Sequence, residues 1–137
     1  MIDFGALNYW AILVAWVFSI ILGSFWYSPA GFGKLWTKLS GVDIMKLPQN
    51  EANKAIGAVI VSSLFQALAL GIVLYWIDPA NVWEGLVAGL VIWFGFITLT
   101  TVGTTLYQRR SFKFLWLNSS FFLIVLVVNS VILTLWR

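Results

Sequence analysis

Gly23-Ser24-Phe25-Trp26-Tyr27-Ser28-Pro29-Ala30-Gly31-Phe32-Gly33-Lys34-Leu35-Trp36-Thr37-Lys38 is the stretch where a long apolar run stops and the chain turns. Pro29 cannot continue a helix, and it drives Ser28 toward extended backbone. Trp26 and Tyr27 carry the amphipathic rings that settle at a membrane–water boundary. Past the break, Phe32, Leu35, Trp36 and Leu39 recur at i, i+3, i+4 and i+7, one face of a short helix over residues 31–39. Lys34, Thr37 and Lys38 fall on the other face. This predicts a helix lying in the interface plane, apolar side toward lipid and lysines toward water. The whole stretch reads as a membrane exit, with no catalytic motif in it.

Outward from this point the chain divides into apolar runs and short breaks. Of 137 residues, 61% are hydrophobic and 9% charged, far below the roughly 25% charged residues of an average protein. Four runs free of Lys, Arg, Asp and Glu are each long enough to cross a bilayer as helix, which takes about 20 residues. The expected fold is therefore all-α: an integral membrane four-helix bundle forming one domain over 1–137, with spans near 8–27, 52–77, 82–107 and 112–136. Residues 1–7 lack the positive n-region of a signal peptide and the first run is too long for one, so the first helix is expected to stay in the mature chain. Ser40 to Asn50 is polar and turn-rich, and Asn50-Glu51 suits the start of the second span. Asp78-Pro79-Ala80-Asn81 has the chemistry of a tight turn. A link this short predicts that the second and third spans are antiparallel neighbours. Gln108-Arg109-Arg110-Ser111 makes the last turn, short and cationic.

Charge sets the expected orientation. Lys34, Lys38, Lys46, Lys54, Arg109, Arg110 and Lys113 fall on one side of such a bundle, and only Arg137 on the other, with Asp3, Asp78 and Glu84. By the positive-inside rule both termini face outward, and loops 28–51 and 108–111 face the cytoplasm, in a cytoplasmic membrane. Trp26, Trp36 and Trp116 mark the inner boundary and Trp10, Trp76, Trp83 and Trp136 the outer one, while Trp16 and Trp93 lie deeper, as packing residues. The net charge of +3 and pI near 9.5 are accounted for by topology. No basic patch has nucleic-acid motif spacing, so no nucleic-acid partner is expected.

The chemistry classes narrow quickly. There is no His and no Cys, which removes the commonest general base, the commonest metal ligand and any thiol nucleophile. No acid lies in the interior of a span, where proton-coupled transport and intramembrane hydrolysis both need one; Glu84 sits at the outer end of the third and Asp3 before the first. Neither a metal site nor a cofactor is expected, and no enzyme activity. What the spans do hold is uncharged polar and small residues in stripes. Asn8, Ala11, Ala15 and Ser19 align in the first span, and Ala55, Ala58, Ser62 and Gln66 in the second. Thr98, Thr101 and Thr105 align in the third, and Asn118, Phe122, Val125 and Asn129 in the fourth. Lipid offers amides no partners, so the stripes are expected to face one another, as helix-to-helix contacts or as a polar cavity open toward the cytoplasm. Gly85 and Gly89 form a G-x-x-x-G pair that permits close helix approach, and Gly103 is the third packing glycine of that span.

One further resemblance rests on particular residues. Asn8, the small Ala15, Gly23, then W-Y-S-P at Trp26, Tyr27, Ser28 and Pro29, and F-G-x-x-W at Phe32, Gly33 and Trp36 resemble the pattern of an uncharacterised membrane family, domain of unknown function 1761. The closing Leu135-Trp136-Arg137 is similar to that family's last helix, and Asn129 stands where a small residue such as Gly is expected. The resemblance implies a four-span membrane protein and no assigned activity. The leading expectation is a non-enzymatic protein that acts in the lipid bilayer by association, as a homo-oligomer or as an accessory subunit of another membrane protein. The second is a small channel or uptake protein for an uncharged solute, lined by Ser62, Gln66, Thr98, Thr101 and Asn118. The third is a lipid or hydrophobic-ligand binder that uses the helix over 31–39 and its lysines.

Overall fold

The computed structural model describes residues 2–137, and among them there are helices and turns but no strand. In chain order the helices are α1 (Tyr9–Trp26), α2 (Gly33–Ser40), α3 (Gln49–Ile77), α4 (Val82–Ile92), α5 (Leu99–Tyr107) and α6 (Phe112–Leu135). A π-helical segment, Trp93–Thr98, joins α4 to α5, so 82–107 is one rod with a wider turn in the middle. Its signature is the Leu99 N–H bonded five residues back, to the Phe94 carbonyl. Four of these rods are long and apolar enough to cross a membrane: Tyr9–Trp26, Gln49–Ile77, Val82–Tyr107 and Phe112–Leu135.

Helix ends follow from their capping residues. Asn8 caps α1, its Oδ1 accepting the Ala11 N–H at 3.1 Å, and Ser111 caps α6 in the same way through Phe114. Asn81 and Glu84 cap α4 reciprocally: Asn81 Oδ1 accepts the Glu84 N–H at 3.0 Å, while Glu84 Oε2 accepts the Ala80 N–H at 2.8 Å. α2 ends at Gly41, whose φ of 74° is the left-handed geometry glycine adopts without a Cβ penalty. α3 starts at Gln49 rather than near Ala52. Pro48, with no N–H to leave unmet and φ at −53°, serves as the start, so Asn50 and Glu51 already lie in the first turn.

α6 is the axis. α1 and α6 run antiparallel over their full lengths, and the contacts Asn8–Trp136, Ser19–Asn129 and Tyr27–Asn118 step along the pair. α4 packs on another side of α6. A Cβ on Gly85 would lie 2.2 Å from Thr134 Oγ1, and one on Gly89 would lie 2.9 Å from the Leu126 carbonyl. Those two glycines therefore set the α4–α6 distance. α3 packs mainly on α1, with Gly71 against Ile12, and the core gathers Leu7, Ala11, Ile12, Ala15, Ala67, Leu70, Leu74, Leu126 and Leu133.

The short link between α3 and α4 does not make them neighbours. They barely touch, because each turns its small residues to another partner: Ala67 and Gly71 serve the α1 side, Gly85 and Gly89 serve α6. A tight turn fixes direction and end-to-end distance; which faces meet is decided by where backbones approach closely.

Candidate functional site

At the end of the bundle that carries α2, the chain reverses within a few residues of Pro29. The Phe32 N–H donates to the Trp26 carbonyl at 2.6 Å, and the Gly31 and Gly33 N–H groups both donate to the Ser28 carbonyl at 3.0 Å. Ser28 Oγ donates to the Phe25 carbonyl at 2.7 Å. The backbone doubles back so closely that a Cβ on Gly31 would lie 2.3 Å from the Phe25 carbonyl, and one on Gly33 2.4 Å from that of Tyr27. Only glycine fits at either place.

The reversal is fastened to α6 by aromatic rings. Trp26 and Tyr27 meet Phe121 at centroid distances of 6.1 and 5.4 Å and Trp36 meets Phe114 at 6.4 Å, while Trp26 closes the reversal itself on Phe32 at 4.5 Å. Such pairs add roughly 0.5–1.5 kcal/mol each beyond their buried area. Tyr27 Oη donates to Asn118 Oδ1 at 2.9 Å. From the α5–α6 turn, Arg110 donates to the carbonyl of Ser40, the last residue of α2, and its guanidinium sits 5.9 Å from the Phe114 ring centroid. Trp26, Tyr27, Ser28, Pro29, Phe32, Gly33 and Trp36 thus form one folded unit rather than a linear exit.

The polar stripes meet in pairs. Asn129, 2% exposed, donates through Nδ2 to Ser19 Oγ at 2.9 Å, and Ser19 in turn donates to the Ala15 carbonyl. Thr98 and Ser119 share a hydrogen bond of 2.5 Å, and the Trp93 indole donates to the Ser119 carbonyl at 2.7 Å. Trp16 donates to Ser63 Oγ and the Ile60 carbonyl, linking α1 to α3. Asn8 is spent at the helix end, on its cap and on the Trp136 carbonyl. Thr105 is buried and Gln66 half-buried.

Ser62, Gln66, Thr98, Thr101 and Asn118 do not converge on one chamber. Ser62 and Thr101 are exposed and donate to carbonyls of their own helices, at Val59 and at Ile97 and Thr98. A hydroxyl that closes on its own backbone needs no facing helix, so serine and threonine spacing alone does not locate a contact. Ser119 and Ser63, outside the lining set drawn from the sequence, are the actual partners; their only signal was membership of the same apolar runs. Gly103 also differs from Gly85 and Gly89: a Cβ there would meet nothing within 4 Å.

The end that carries the termini holds a small cleft of about 60 Å³, floored by Ile12, Leu74 and Leu133 and rimmed by Asn8, Trp136 and Arg137. Arg137 also pairs with Asp78 and donates to the Pro79 carbonyl. Among the described residues no three Asp or Glu side chains converge to hold a metal ion.

Four long apolar rods, three of them packed around the fourth, with polar side chains bonded across the crossings and a glycine-dependent reversal fastened to the central rod, define an all-helical bundle long and apolar enough to pass through a membrane. The chain belongs to the family described as Protein of unknown function (DUF1761), whose profile matches residues 10–134. No curated protein and no solved structure matches it.

Proposed function

We propose that this is a four-span integral membrane protein that works by association, through a side of α3 left open for another helix. The carrying observation is the first half of α3: every residue from Asn53 to Ser62 is exposed, and a Cβ on Gly57 would meet nothing within 4 Å. That segment is apolar but lined with small side chains, Ala55, Gly57 and Ala58, which let another helix approach closely. At the crossings Asn129 bonds Ser19 and Thr98 bonds Ser119, while Asn129 Oδ1 and Ser130 Oγ are buried without a partner among the described residues; the side-chain bonds between helices favour a structural role over a catalytic one. The seven cations at the α2 end, against Arg137 at the other, support termini outside and α2 lying along the inner surface. In α2, Lys34 and Lys38 are exposed, Trp36 and Leu39 are half-buried, and Phe32 and Leu35 leave apolar surface open, which supports a helix with one side on lipid.

Two measurements test this. Cysteines placed by Lys46→Cys and Ala80→Cys should label from opposite sides of sealed vesicles; labelling from one side defeats the four-span arrangement. Ala58→Cys should give a disulfide-linked dimer, or a cross-link to another membrane protein, in native membranes, whereas Val17→Cys on α1 should not. Equal cross-linking at both sites removes α3 as the associating face.

A further inference from the structure

We propose that the seam between α2 and the α5–α6 turn binds the headgroup phosphate of an anionic phospholipid. The inference rests on the membrane reading above and adds a ligand to it. The seam is built, not incidental. Arg110 donates to the Ser40 carbonyl and stacks on Phe114, and Trp36 from α2 packs on the same Phe114 ring. These contacts hold Lys38, in the last turn of α2, at the same end as Arg109 and Lys113, the immediate neighbours of Arg110 and Phe114. A guanidinium fixed by stacking and one backbone bond still has N–H donors to spend, with little rotamer freedom left to lose.

Charge at the seam is unanswered. Among the described residues Lys34, Lys38, Arg109, Arg110 and Lys113 form no salt bridge. Of the two acids at this end, Asp43 is engaged with Lys46 at 3.7 Å and Glu51 stands in the first turn of α3, paired with none of these cations; Asp3, Asp78 and Glu84 lie at the other end of the bundle. Beside these cations stand exposed apolar side chains: Phe112 at 57%, Trp116 at 49% and Leu35 at 43% exposure. A cluster of cations bordered by an apolar shelf complements a molecule with an anionic head and acyl chains, and complements free phosphate only in part.

The test uses the full chain reconstituted in vesicles of equal parts phosphatidylglycerol and phosphatidylcholine. Flotation comes first: protein that does not float with the vesicles, or is stripped by alkaline carbonate, defeats membrane insertion and this proposal with it. For protein that floats, native mass spectrometry counts retained lipid. Phosphatidylglycerol should be retained in preference to phosphatidylcholine. The Lys38→Gln/Lys113→Gln variant should lower that preference by about fivefold per charge removed, the effect of roughly 1 kcal/mol per cation near an anionic surface. Neither lysine makes a side-chain contact on which the fold depends, and an unchanged melting temperature checks this. The control Lys46→Gln/Lys54→Gln removes equal charge from the same end and should change the preference less than twofold. An equal loss in the control shows uniform surface attraction and overturns the site. So does an undiminished preference in the first variant, or inorganic phosphate protecting the protein from thermal unfolding as well as phosphatidylglycerol does.

Discussion

α6 and α3 are both apolar enough to cross a membrane, yet 44% of the most apolar window of α6 is buried within the chain and only 11% of that of α3. α6 is used on several sides: Ser119 toward the π segment, Asn129 toward α1, Ser130 and Thr134 toward α4, with Leu115, Val125 and Leu126 buried along its length. α3 buries one stripe near its end, Ala67, Leu70, Gly71 and Leu74, at the helical spacing of i, i+3, i+4 and i+7. Hydropathy says what medium a helix tolerates. It does not say whether that medium is lipid or another helix; small residues opposite a partner's backbone decide that.

Substitutions at glycine break this contrast open. The largest effect is expected at the reversal fastened to α6. Gly33→Ala forces a methyl against the carbonyls of Tyr27 and Ser28, at 2.4 and 2.7 Å, and backbone cannot swing aside as a side-chain tip can. A loss of about 3 kcal/mol, at the top of the range for overpacking, is expected in reversible unfolding from mixed micelles. Gly89→Ala follows at about 1–3 kcal/mol, because its methyl meets Ser130 Oγ at 2.7 Å and the Leu126 carbonyl at 2.9 Å. Gly57→Ala on the open half of α3 should go the other way, gaining about 0.5–1 kcal/mol from helix propensity alone. A destabilising Gly57→Ala in the monomer would mean that this part of α3 has a partner within the chain after all.

Much of the fold was legible because it rests on residues with a single physical use. Pro29 stops a helix, Asp78 to Asn81 and Gln108 to Ser111 make turns, and the charge-free runs mark the rods; Asn8, expected in a polar stripe, instead caps α1. Gly85 and Gly89 were legible as packing positions for the same reason. Residues with two uses misled. Thr101 and Ser62 bond equally well to their own helix, so their alignment did not place them at a contact. Gly103 has the same chemistry as Gly89 and faces open space. The α3–α4 neighbourhood failed because a four-residue link constrains ends and leaves faces free. Asn129, the departure from the family pattern, carries the bond to Ser19: an amide, unlike glycine, can reach across the crossing.

The segment Trp93–Thr98 adds a matter of phase. A π turn inserts one residue into an α-helix, so everything beyond it is rotated by roughly 100° from where an unbroken helix would put it. α5 inherits that offset, and with it the compass bearing of Thr101, Thr104 and Thr105. Deleting Gly95, whose absent side chain has open space around it, would restore plain α-helical winding and turn a different side of α5 toward α6. The wide turn is therefore a rotary setting: one residue of chain length, spent in the middle of a rod, decides which threonine lies buried at its far end.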